Sequence, residues 1–155
     1  MKWKLPPAIK VYEALGTIAD KRIKVKGDAA VVTSSSGDKH YEVRYESGTH
    51  AITANDNGSY WQGYLGYPSI AFLMKKKIIS FDEAIAKSLE KTEWKKINAK
   101  FKNNFEKTEA FVLGVAEQRG MPREQITTLV KKIMDEIREL KPEKLGATKK
   151  PPRGD

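Results

Sequence analysis

The chain has 155 residues, with 29 Lys and Arg against 20 Asp and Glu, a formal net charge of +9 and no cysteine. This length suits one ordinary domain with a core of its own, and the lack of cysteine excludes disulfides, thiolate metal sites and cysteine nucleophiles while fitting a reducing, cytoplasmic setting. No apolar run approaches the roughly 20 residues of a membrane span, and Met1-Lys2-Trp3-Lys4-Leu5-Pro6-Pro7 is too short and polar for a signal peptide, so no membrane partner is expected.

A first helix is predicted from Pro6 or Pro7, because proline suits the first helical turn and Ala8, Val11, Tyr12, Leu15, Ile18 and Ala19 recur at three- and four-residue steps as far as Lys21. Ile23 and Val25 alternate with Arg22, Lys24 and Lys26 as a strand. Gly27-Asp28 then turns the chain into a second strand, Ala29 to Thr33. Ser34-Ser35-Ser36-Gly37-Asp38 is a turn by composition. His40 to Tyr45 alternates, setting Tyr41, Val43 and Tyr45 on one face and His40, Glu42 and Arg44 on the other. Glu46-Ser47-Gly48 turns into a fourth strand, Thr49 to Ala54.

From Asn55 to Met74 a polar turn gives way to Tyr60, Trp61, Tyr64 and Tyr67 interleaved with Gly58, Gly63 and Gly66, then to Ile70-Ala71-Phe72-Leu73-Met74. Glycines permit close backbone approach or positive φ, and the aromatics favour half-buried seats, so the segment reads as a loop that becomes a short buried helix. After Lys75-Lys76-Lys77, Ser80 with Glu83 three residues on is a capping box for a helix bearing Phe81, Ala84, Ile85 and Leu89. Thr92 is the predicted cap of a longer helix with Trp94, Ile97, Phe101, Phe105, Thr108, Val112 and Val115 in one stripe, Phe111 beside it, and a stop at Gly120. Pro122 restarts a third helix, Ile126 to Leu140, that Pro142 ends.

The expected architecture is therefore α+β: an N-terminal helix, a small antiparallel β-meander with an aromatic loop and short buried helix, and three C-terminal helices. Residues 1–79 and 80–141 read as two parts of one composite unit, and residues 142–155 as a disordered basic tail too poor in apolar groups to offset its ordering entropy.

The order of elements from Lys39 to Met74 resembles the SWIM family, a small zinc-binding module of a strand pair, a Cys-x-Cys turn, a loop and a helix opened by Cys-x-His. The strand Lys39 to Tyr45, the turn Ala54-Asn55-Asp56 and the helix from Tyr67 correspond, with Thr53, Asn55, Tyr67 and Ser69 at the four ligand positions. None of these is a zinc ligand. The resemblance implies a degenerate module in which aromatic packing replaces the metal and an interaction role toward nucleic acid or protein survives.

No chemistry-bearing motif accompanies these elements. His40 and His50 are the only histidines and read as solvated or hydrogen-bonded strand residues, Thr53-x-Asn55-x-Asn57-Gly58 lacks the terminal glutamate of a calcium loop, and phosphate-loop, nucleophile-elbow and zinc-protease patterns are missing. No catalytic residue, metal or cofactor is thus expected, and the chain reads as a binding module. Its positive charge favours a polyanion, and Tyr60, Trp61 and Tyr64 with Lys75, Lys76 and Lys77 form the expected DNA- or RNA-binding set, bases stacking on rings beside cations. The competing expectation is a homodimer through the apolar stripes of residues 92–140. An enzyme would instead line a pocket with Asn55, Asp56 and the aromatic loop. Abundant Lys and Glu with few Gln is also a balance of heat-adapted prokaryotic proteins.

Overall fold

A computed structural model describes residues 1–153. The fold is α+β: helix α1 (Ile9–Ala19), strands β1 (Ile23–Lys26), β2 (Ala29–Thr33), β3 (His40–Glu46) and β4 (Ala51–Ala54), then α2 (Tyr67–Lys75), α3 (Glu83–Ser88), α4 (Trp94–Lys100), α5 (Phe105–Gln118) and α6 (Arg123–Leu140). The strands form an antiparallel meander in chain order. Ile23, Val32 and Tyr41 stand opposite one another, as do Val25, Ala30, Val43 and Ala54 and then Tyr45 and Ile52. Because side chains alternate along a strand, this register gathers the apolar set on one face and leaves Lys24, Val31, Glu42 and Arg44 on the other.

The apolar face carries α2, whose residues Pro68 to Met74 are all buried. Phe72 packs at 5.4 Å from Tyr45, ring centre to ring centre. Helix α1 lies between α2 on one side and α3, α5 and α6 on the other. That sandwich explains why α1 is buried almost all round, including the polar Glu13 and Thr17, where the sequence alone suggests an ordinary amphipathic helix. One hydrophobic cluster runs from Trp3 through the sheet and α2 to Ile137 of α6. Val112 of α5 and Ile126, Val130, Ile133 and Ile137 of α6, part of the stripe expected to meet a second copy, are covered by the chain itself; Phe111 stays 42% exposed. Among the described residues no helix is long and apolar enough to cross a membrane.

Three local expectations change. The stripe from Trp94 to Val115 is two helices, because Lys102 and Asn103 take positive φ (51° and 60°) and the Asn104 side chain accepts from the Lys107 amide to start α5 afresh. Phe101 and Phe105 keep the four-residue step across this break, so periodicity hides it. Helix α3 is capped by Asp82, which accepts from the Ile85 amide, while Ser80 binds the Glu136 carboxylate of α6 through its amide (2.9 Å) and hydroxyl (2.7 Å). The polar end of the chain is not free throughout: the Ile52 amide donates to the Glu143 carbonyl, the Leu145 amide to the Ile52 carbonyl and the Trp3 amide to the Pro142 carbonyl. The outer edge of β4 supplies Ile52 to the first two of these bonds, and the Trp3 indole nitrogen also donates to the Ile52 carbonyl at 2.7 Å. Gly154 and Asp155, the last residues of the predicted tail, lie outside the described residues.

Candidate functional site

The loop between β4 and α2 is shaped by two glycines that sit too close to neighbours for any side chain. A Cβ on Gly58 would fall 2.4 Å from the Tyr64 ring, and one on Gly66 would fall 2.0 Å from Asp56 Oδ2. Asp56 is only 4% exposed. Its Oδ1 accepts from the Ser59 hydroxyl at 2.6 Å and its Oδ2 from the Ser59 amide at 3.2 Å, which winds Gly58–Gln62 into a short π-helical turn. The turn throws Trp61 outward, 63% exposed, with Tyr60 edge-on to it at 4.7 Å.

Trp61 stands at the rim of a cavity of about 850 Å³. Its walls include Lys10 and Glu13 of α1, Arg22 after it, Ser34, Ser35, Asp38 and Lys39 between β2 and β3, the aromatic loop, and Trp94, Lys95 and Asn98 of α4. Tyr41 and Tyr67 meet edge-on at 6.2 Å in the wall. The break after α4 has a role here: it lets α4 turn Asn98 toward α1 while α5 continues along the core. Asn98 donates to Glu13 Oε1 at 3.2 Å and accepts from the Thr108 hydroxyl at 3.1 Å. Glu13 Oε2 lies 2.9 Å from Lys10 Nζ, and that ammonium sits 5.2 Å above the Phe105 ring.

Four cations, Lys10, Arg22, Lys39 and Lys95, face three carboxylates, Glu13, Asp38 and Asp56. Burial pushes the Asp56 carboxyl up from its ordinary value, against the Ser59 hydrogen bonds. Burial alone would lower the Lys10 ammonium; Glu13 overrides it and holds Lys10 above the usual lysine value, hence charged. Asp38 accepts from the Ser34 hydroxyl and from Ser36, and lies 3.7 Å from Lys95 Nζ. Burial raises the phenols as well: Tyr41 is pushed up to about 12, and Tyr64 and Tyr67 are raised too, so at neutral pH each offers a neutral O–H.

These raised phenols, with Tyr12 whose hydroxyl donates to Glu109 at 2.6 Å and whose pKa burial likewise raises, set an alkaline limit. The folded chain keeps protons that the unfolded chain releases at the ordinary tyrosine value of about 10, so stability is lost as pH rises beyond about 10. In an alkaline titration, tyrosinate absorbance is expected to grow together with loss of helical circular dichroism between about pH 10 and 12. Complete ionisation near pH 10 with the helices intact would contradict this.

The structure brings Tyr60, Trp61 and Tyr64 together at one rim and separates them from Lys75, Lys76 and Lys77. The lysines occupy the other end of α2, some 13 Å along a nine-residue helix, where Lys76 donates to the Gly27 carbonyl. Lys10, Arg22, Lys39 and Lys95 are the cations that share the cavity with the rings, and sequence order gives no hint of their meeting. Asp56 lines the cavity and Asn55 does not; the Asn55 side chain accepts from the Glu42 amide at 2.8 Å. Of the remaining SWIM positions, the Thr53 and Ser69 hydroxyls are buried without a partner and Tyr67 packs on Tyr41. His40 and His50 are away from the cavity, His40 beside the Thr33 hydroxyl and His50 beside that of Tyr45. Among the described residues no three His, Cys, Asp or Glu side chains converge as a metal site.

A family model described as "Uncharacterised conserved protein UCP014422" matches residues 3–143, which takes in every element from Trp3 to the strand-like return beside β4. No curated protein and no solved structure matches the chain.

Proposed function

We propose that this chain, which belongs to the family described as Uncharacterised conserved protein UCP014422, binds single-stranded nucleic acid by stacking a base on Trp61 at the cavity rim. The exposed Trp61 ring, braced by Tyr60 and opening onto a cavity with more cations than carboxylates, carries the reading. An unstacked base has two π-faces to cover, and aromatic platforms supply about 1–3 kcal/mol per base irrespective of sequence. Lys39 and Lys95 flank the cavity and Lys4 reaches the loop, its methylene about 4.0 Å from where a Cβ on Gly63 would be, so phosphates on either side of the base find positive charge. Lys75 to Lys77 contribute to this reading only through the long-range field, because they are a helix length away.

Trp61 is by far the most exposed of the three tryptophans, Trp3 and Trp94 being 7% and 3% exposed, and quenching that is lost in Trp61→Ala is assigned to it rather than to Trp94 in the cavity wall. Titration with a short oligothymidine at about 50 mM salt is expected to quench it, with affinity falling steeply by about 200 mM. Trp61→Ala is expected to weaken binding about tenfold, and changing Lys75, Lys76 and Lys77 together to Gln by less than about threefold. Binding that ignores salt, or a Trp61→Ala variant as good as the parent, removes the proposal.

A further inference from the structure

A polar account of the cavity leaves donors in excess. Glu13 Oε1 accepts from Asn98, while its buried Oε2 has no hydrogen-bond donor and is held by the Lys10 ammonium at 2.9 Å as an ion pair; Asp38 is engaged by Ser34, Ser36 and Lys95, and Asp56 by Ser59. On the donor side, Arg22 gives Nη1 to the Thr33 carbonyl at 2.7 Å and holds Nε 3.4 Å from Asp20, but its Nη2 is buried with no partner. Tyr41 and Tyr67 also line the cavity, and burial raises both phenols so that each keeps its proton at neutral pH. A buried guanidinium nitrogen left open is costly in a folded protein, and a ligand oxygen that accepts from it removes that cost.

We propose that the inner end of the cavity is a phosphomonoester site, in which Arg22 Nη2 and the Tyr41 and Tyr67 hydroxyls donate to the phosphate oxygens of a nucleoside phosphate whose base lies toward Trp61. The inference rests on the nucleic-acid reading of Trp61 and adds a chain-end requirement to it. A dianionic monoester, with three terminal oxygens, matches an open guanidinium nitrogen flanked by neutral O–H donors better than a base edge does. Tyr41 and Tyr67 are continuous with the hydrophobic core, so a strand entering at Trp61 ends there instead of passing through. The volume of about 850 Å³ is within the range of pockets for a molecule of nucleotide size. The same chemistry is offered by the phosphorylated end of a strand and by a free nucleoside monophosphate.

The test compares, on the full chain, short oligothymidines ending in a 5′-phosphate, a 3′-phosphate or hydroxyls at both ends, together with thymidine monophosphate. One phosphorylated end is expected to bind at least about tenfold tighter than the hydroxyl-ended strand, as a charge-assisted contact requires. In Arg22→Gln and in Tyr67→Phe, which keeps the ring and its packing, the ratio of the two affinities is expected to fall toward one. Mononucleotide affinity equal to that of the phosphorylated strand identifies the free nucleotide as the source; much weaker affinity identifies the strand end. Equal binding of phosphorylated and hydroxyl-ended strands overturns the phosphate site while leaving the Trp61 proposal standing. No binding of any of them overturns both.

Discussion

Glu13→Ala is expected to lower the unfolding free energy by about 3 kcal/mol, because it removes one half of a buried ion pair and leaves the other half in place. The side chains of Lys10 and Glu13 are 15% and 6% exposed, and Glu13 also accepts from Asn98, which in turn accepts from Thr108. The variant strands an ammonium and an amide at the junction of α1, α4 and α5. At the size of this chain, a loss of about 3 kcal/mol shifts the thermal midpoint down by about 6–12 °C. The pH dependence gives a second reading. In the parent, Glu13 raises Lys10, so the stability from that pair is fully present below the ordinary lysine value of about 10.5 and disappears as pH climbs through the higher folded value. Without Glu13 burial prevails and Lys10 falls instead, so the deficit of Glu13→Ala is expected to shrink as pH approaches 10. Replacing both residues, Lys10→Met with Glu13→Leu, is expected to recover most of the loss, since an apolar pair carries no uncompensated charge. Urea unfolding of the three proteins measures the loss and its recovery; a Glu13→Ala variant within about 0.5 kcal/mol of the parent would show that water reaches Lys10 freely.

Gly66→Ala is expected to cost a similar amount, about 3 kcal/mol, for a steric reason. The backbone of Gly66 is ordinary, with φ −81°, so no strain is at issue. The difficulty is the added methyl, 2.0 Å from Asp56 Oδ2 and 2.6 Å from its Cγ, in a place where both residues are buried. Asp56 has little room to retreat, being tied to Ser59, and any retreat unwinds the turn that presents Trp61. Loss of stability and loss of oligonucleotide binding are therefore expected together. Gly114 of α5 serves as the control: a Cβ there meets nothing within 4 Å, and Gly114→Ala is expected to stabilise by about 0.5–1 kcal/mol. If the clash is the cause, Gly66→Ala adds little further loss once Asp56 has been changed to Ala. Full additivity of the two substitutions would assign the cost elsewhere.

Much of the architecture is legible in the linear order. The strand β3 declares itself because a sheet with one buried face imposes a two-residue rhythm, and the residues from His40 to Glu46 keep it with alternate exposure and burial. The run Ile70 to Met74 could only be interior, and α2 is. Gly58 and Gly66 were informative because aromatic and carboxylate neighbours needed their space. Periodicity failed where two solutions share a rhythm: Phe101 and Phe105 are four apart whether or not the helix continues, and Asn103-Asn104 was the signal of a new start. Composition failed for Glu143 to Leu145, because hydrogen bonding to the β4 edge depends on a neighbour that brings no apolar residue to the tail itself.

The candidate site divides along the same line. Tyr60, Trp61 and Tyr64 stand out in sequence as a local cluster of rings, whereas Lys10, Arg22, Lys39 and Lys95 come from α1, the corner after it, the β2–β3 turn and α4, and only folding assembles them. The amino-acid order by itself determined the kinds and places of the elements, since helix and strand rhythms and turn chemistry are properties of near neighbours along the chain. Which cations face the rings, which carboxylates are already satisfied and which guanidinium nitrogen is left open were decided by tertiary structure, because electrostatic and hydrogen-bonding roles depend on distances through space between residues far apart in sequence.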